Sequence, residues 1–181
     1  MTKKINPIPR GYRSATPALV VRNAAAAVDY YALVFGAVEL NRIHALDGLT
    51  IPRAEIKIGN SVLQLSDELL AFGILSPLSL GGSAGSVQLF LDDINGVWDR
   101  AIETGSTAVL PLEDTYWGER TGRIVDPFGH VWTISQRVEA VSKAELAIRI
   151  ADRFGPQTGI ADDIPTVDIR DIGMTIDSAA A

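Results

Sequence analysis

Apolar and polar positions along this chain follow one order of elements, and the order is used twice. Residues 16–21 carry Pro17 near their start and run into the β-prone Leu19, Val20 and Val21, which predicts a strand, with the proline marking an edge or a strand beginning. Asn23 is placed to cap a helix in which Ala27, Val28, Tyr31, Val34 and Phe35 recur at helical spacing, and Gly36 stops it. A strand is predicted over residues 38–44, and Asp47-Gly48 signals a hairpin. Residues 51–58 alternate, with Ala54, Ile56 and Ile58 on one face and Arg53, Glu55 and Lys57 on the other. Gly59-Asn60 then turns the chain into a strand over residues 61–66.

The second half repeats this. Ser86-Val87-Gln88-Leu89-Phe90-Leu91 answers Thr16-Pro17-Ala18-Leu19-Val20-Val21, and Val131-Trp132-Thr133-Ile134-Ser135 answers Val62-Leu63-Gln64-Leu65-Ser66. Between them Ile94, Val97, Trp98, Ala101 and Ile102 fit an amphipathic helix stopped by Gly105. A strand over residues 108–112, a polar and aromatic loop over 113–122, a short strand over 123–125 and a turn over 126–129 lead to the last strand. The expected fold class is α+β: two βαβββ modules, residues 12–66 and 86–137, forming a cup-shaped eight-stranded mixed sheet with a site where the copies meet.

Three further stretches complete the chain. Residues 67–85, with Pro77 and Gly81-Gly82-Ser83-Ala84-Gly85, read as a linker with little structure of its own. The glycine run is no phosphate loop, since it lacks the following Lys-Ser/Thr and precedes a strand. Ser142-Lys143-Ala144-Glu145 is a capping box that opens a helix over residues 142–154. The tail, residues 155–181, is acidic but carries Ile160, Ile164, Ile169, Ile172 and Ile176, and is expected to pack against a neighbour.

The period of two assigns faces. With Leu63, Leu65, Val87, Leu89, Trp132 and Ile134 turned toward the helices, Gln64, Ser86, Gln88, Phe90 and Thr133 face the cup. Arg53, Glu55 and Lys57 have two open readings. They form a solvated face with cross-strand ion pairs, or Glu55 is a general base or orienting carboxylate whose pKa rises if the cup is apolar, with Lys57 or Arg53 holding an anionic oxygen. Tyr116 and Trp117 either pack their loop down or extend an aromatic wall begun by Phe90. Trp98 and Trp132 are core; of the consecutive Tyr30 and Tyr31, one is core and the other is at a surface or interface. His44 is expected at the surface, and His130 in a structural hydrogen bond or in solvent.

Composition narrows the function classes. The chain has 181 residues, 47% of them hydrophobic and 21% charged, enough to build a core. A net charge of −6 without a basic stripe argues against nucleic acid and anionic membrane. With no cysteine there are no disulfides, zinc-thiolate sites or thiol nucleophiles, and two histidines are too few for a His-rich metal site. No apolar run approaches a membrane span and no secretory signal opens the sequence, so the expected setting is cytoplasmic.

Paired βαβββ modules resemble the vicinal oxygen chelate superfamily: glyoxalase I, extradiol dioxygenases, fosfomycin-resistance enzymes and bleomycin-resistance proteins. The PhnB-like branch is the nearest likeness. The residues that carry it are Pro17-Ala18-Leu19-Val20-Val21, Ala54 to Gly59, Ser61 to Asp67, Leu91-Asp92-Asp93, and Tyr116 to Arg120 leading through Gly122 to Trp132. The likeness covers about residues 12 to 140. In metal-dependent members four strands each give a His or Glu. That pattern falls on Thr16, Gln64, Ser86 and Thr133, none of which is a strong ligand, so no metal and no cofactor is expected. The resemblance implies a binder that sequesters a bulky aromatic or polyketide-like small molecule, and a homodimer. Open beside it are a metal-independent lyase, isomerase or cyclase acting on a carbonyl compound through Glu55, and a metal-dependent lyase or dioxygenase.

Overall fold

A computed structural model of the chain describes residues 5–9 and 11–155. The chain divides into two compact units, Met1–Ala140 and Val141–Ala181. The first unit holds both modules. Module one comprises β1 (Ala18–Val21), α1 (Ala24–Phe35), β2 (Val38–Ile43), β3 (Arg53–Ile58) and β4 (Ser61–Asp67). Module two comprises β5 (Ser86–Phe90), α3 (Ile94–Glu103), β6 (Thr107–Asp114), β7 (Glu119–Val125) and β8 (Val131–Arg137). Both are therefore βαβββ. The eight strands are divided between two open four-stranded sheets, ordered β1-β4-β3-β2 and β5-β8-β7-β6, whose first pairs are parallel and whose other pairs are antiparallel.

Local chemistry explains the helices. Asn23 accepts from the Ala26 amide at 3.0 Å, Asp67 accepts from the Ala24 amide at 2.6 Å, and Gly36 closes α1 in the left-handed region at φ 65°. Asp93 caps α3 by accepting from the Gly96 amide at 3.0 Å. In the second unit, Ser142 accepts from the Glu145 amide at 3.1 Å and opens the amphipathic α4 (Lys143–Phe154), as the capping box predicts. The tail from residue 156 onward lies outside the described residues.

The backs of the two sheets share one core. Ile56, Leu63 and Leu65 from module one and Ile124, Trp132 and Ile134 from module two join a single buried cluster around Tyr31, Val34 and Phe35 of α1. Trp132 packs against Phe35 and Tyr31 with ring centroids 4.7 and 5.2 Å apart. His130 bridges the modules through Nε2, 3.0 Å from the Val20 carbonyl, while His44 is exposed. Alternation along the strands then turns each sheet's other face, its front, away from this core.

Three expectations need correction. Residues 67–85 are structured: Leu69 pairs with Ile74 around a 3-10 turn at Leu70–Phe72, and α2 (Pro77–Leu80) follows. Pro77 starts this helix at its first turn, where a missing N–H is harmless, and Glu68 ties it down by accepting from the Ser76 amide and hydroxyl at 2.8 and 2.6 Å. The long loop over 113–122 is instead a hairpin. β6 and β7 run to a turn at residues 115–118, where the Thr115 hydroxyl donates to the Glu119 carbonyl at 2.7 Å. Tyr30 and Tyr31 are both buried, because module two covers the flank of α1 that would otherwise meet water; the Tyr30 hydroxyl lies 2.6 Å from that of Ser106.

Among the described residues no helix is long and apolar enough to cross a membrane.

Candidate functional site

The fronts of the two sheets carry the candidate residues as two half-sites. On the first front, ladder register places Ala18 beside Gln64 and Gln64 beside Glu55, with Asn41 next. Thr16 lies two residues ahead of β1 and outside the ladder, because the chain enters the sheet through Pro17, whose carbonyl accepts from the Gln64 amide at 2.9 Å. On the second front the matching rung is Gln88, Thr133, Arg123. Ser86 is one rung away, beside Val131. The expected turning of Leu63, Leu65, Leu89, Trp132 and Ile134 toward the helices holds, as all are buried.

Two of the charged trio on β3, Arg53 and Glu55, form an ion pair. Arg53 donates to Glu55 Oε1 from Nε at 2.8 Å and lies 2.6 Å from it through Nη2. The Tyr12 hydroxyl is shut off from solvent without a well-formed hydrogen bond, yet lies close enough to Glu55 and Arg53 for each to influence the others' titration. Burial first, and then the Glu55 carboxylate, push the Tyr12 phenol up. Glu55 moves the other way. The Tyr12 hydroxyl, helped by Arg53, outweighs desolvation and holds the carboxyl below its usual range. The raising influence of burial is present but outweighed. Lys57 points to solvent with no ion pair among the described residues. Arg53, Gln64, Ser66, Ala18 and Pro52 line a shallow cavity of about 130 Å³ on this front.

The second front sets polar side chains beside an exposed aromatic. Ser135 accepts from the Gln88 amide at 3.2 Å and pairs with the Thr121 hydroxyl at 2.9 Å, so three polar side chains satisfy one another. Phe90 stands opposite Ser135 in the ladder and is 63% exposed. Tyr116 and Trp117 sit at the β6–β7 turn, their rings edge to face with centroids 4.7 Å apart, and Trp117 is 42% exposed. Arg123, which the pattern of the sequence did not single out, stands on the same face as Thr133 and donates to its hydroxyl at 3.4 Å. The signal was present: once β7 is recognised as a strand, Thr121, Arg123 and Val125 alternate with the inward Gly122 and Ile124.

A family model for the Glyoxalase/Bleomycin resistance protein/Dioxygenase superfamily matches residues 13–134. The chain belongs to this superfamily. An uncharacterized protein of Mycobacterium bovis is 38% identical over 134 residues, which cover 72% of this chain and 88% of the relative. TioX from Micromonospora sp. ML1 is 25% identical with a TM-score of 0.52, covering 72% of this chain and all of TioX. A PhnB protein from Bacillus cereus shares the fold at 15% identity, with a TM-score of 0.55 over 68% of this chain and 99% of that protein.

The divalent ion used by metal-dependent members of the superfamily does not fit the residues present. Gln64, Ser86 and Thr133, with Thr16 ahead of its strand, offer only amides and hydroxyls, which bind such ions weakly. Among the described residues no group of three or more His, Cys, Asp or Glu side chains could hold one.

Proposed function

We propose that the protein binds a bulky, flat organic molecule on the sheet fronts and holds it without a metal ion. One observation carries this reading: an exposed Phe90 stands beside Ser135, which is already engaged by Gln88 and Thr121. An exposed ring beside hydroxyls that already pair with each other offers stacking area at little cost in polar desolvation. The competing assignment of Glu55 as general acid or base gains no support, because a carboxylate held ionised by Arg53 and Tyr12 is a weak base and a poor proton donor near neutrality.

The first front alone is too shallow to enclose such a ligand. The first offers about 130 Å³, against the roughly 300–1,000 Å³ of pockets that surround drug-sized molecules. A homodimer would supply the opposing wall. Val38 and Ile43 on the first front, and Phe90 and Leu110 on the second, are exposed apolar side chains that a second copy would cover.

The test is calorimetric titration of flat aromatic compounds into the purified protein with and without a chelator, alongside product analysis and sedimentation. Stoichiometric binding that survives chelation, without conversion, to a dimeric protein is the expected result. Binding that disappears with the chelator, or conversion of the bound compound, would overturn the reading.

A further inference from the structure

We propose that Arg123 anchors the carboxylate of an aromatic acid laid along the front of the second sheet. This rests on the reading above, in which that front holds a flat ligand, and adds the chemical class. Thr133 and Gln88 complete the rung on which Arg123 stands, so a guanidinium, a hydroxyl and an amide are presented side by side. Arg123 makes one long bond, 3.4 Å to the Thr133 hydroxyl, and has no carboxylate partner among the described residues.

The other arginines of the two sheets are differently placed. Arg53 is held by Glu55, Arg42 by Glu39, and Arg120 lies 3.1 Å from Asp114. Arg137 stands opposite Glu119 in the ladder and donates to the Glu139 carbonyl at 3.4 Å. The nearest carboxylate on the front beside Arg123 is Glu113, which stands opposite Thr121, one rung away. The corresponding rung of module one carries Glu55 beside Gln64, so the two fronts have opposite charge at the same place.

Spacing selects an aromatic acid over a simple anion. Phe90 lies on the rung of Ser135 and Thr121, one same-face step along and two strands across from Arg123, hence about 12 Å away. Along β7 itself, past the rung of Glu119 and Arg137, is the turn that carries Tyr116 and Trp117. A carboxylate gripped by the guanidinium fork would therefore continue across the sheet into rings that reach Phe90.

Naphthalene-2-carboxylate and anthracene-2-carboxylate, each paired with its neutral carboxamide, are titrated calorimetrically into the full chain. Each carboxylate should bind about tenfold tighter than its amide, the difference expected of a charge-assisted pair. Arg123→Gln should bring that ratio near unity while leaving the amide affinities and the melting temperature unchanged. Lys57→Gln and Arg137→Gln should preserve the ratio. If acid and amide bind wild type equally, or the preference survives Arg123→Gln or vanishes in either control, the Arg123 assignment falls and the flat-ligand reading stands. If none of the four compounds binds wild type, both fall.

Discussion

The Tyr31 hydroxyl donates a 2.6 Å hydrogen bond to Asp126, a residue 95 positions away in the other module. Asp126 is the hub of the module contact. Its second oxygen accepts from the Phe128 and His130 amides at 2.9 Å each, and the oxygen that receives Tyr31 also accepts from the Trp132 indole at 2.7 Å. Four donors on one buried carboxylate make it an acceptor that no uncharged side chain replaces.

Asp126→Ala should therefore cost about 3–5 kcal/mol, since it orphans the buried Tyr31 and Trp132 donors, and Tyr31→Phe about 1–3 kcal/mol. Equilibrium urea unfolding measures both. A loss below about 1 kcal/mol for Asp126→Ala would contradict the hub.

The same pair sets an alkaline limit. Burial, and then the Asp126 charge, hold the Tyr31 phenol well above its ordinary 10.0. Because the folded value is the raised one, this stability is fully present below pH 10.0 and is lost as pH rises through the folded value. Tyr31→Phe should lose less stability than wild type between neutral and strongly alkaline pH in matched denaturant titrations.

Glu68 sets the corresponding acid limit. The Ser76 hydroxyl above all, then Ser79 and the Ser76 amide, bring its carboxyl down from 4.5 to about 2. With the folded value depressed, the contribution is present above 4.5 and is lost as pH falls toward about 2. Glu68→Gln should flatten the stability profile across that window, and an unchanged profile would show that α2 is held by other contacts.

Glu55→Gln should change global stability by no more than about 1 kcal/mol, as expected for an exposed ion pair with Arg53. Tyr12→Phe should raise the Glu55 carboxyl pKa by removing its leading cause of depression. Carbon-detected NMR titration of the Glu55 side chain follows this; a value unmoved by Tyr12→Phe would separate the two residues.

Gly122→Ala should destabilise by about 1–3 kcal/mol, because an added Cβ would lie 2.5 Å from the Trp98 ring and 3.2 Å from the Leu112 backbone. Thermal melting reads this directly, and a neutral outcome would require Trp98 to move freely.

Gly122 also shows where the sequence was misleading. A glycine among polar residues reads as loop punctuation, yet here it lets Trp98 close against β7. Taking residues 113–122 as a loop hid the alternation that puts Arg123 on the front. The repeat itself, the α1 cap at Asn23, the capping box at Ser142 and the inward set around Leu63 and Trp132 were legible, because each rests on local spacing. Asp126 was legible only as a turn former; its partner Tyr31 is brought to it by tertiary packing that no local pattern encodes.

Joining the modules through their backs has a consequence for how such a protein can change. Trp132 and Phe35 interlock where both halves must agree, so a substitution there is felt by the whole unit. Phe90 and Arg123 answer only to their own sheet. Each half can therefore acquire a new taste in ligands without renegotiating the other, and one frame can serve many chemistries.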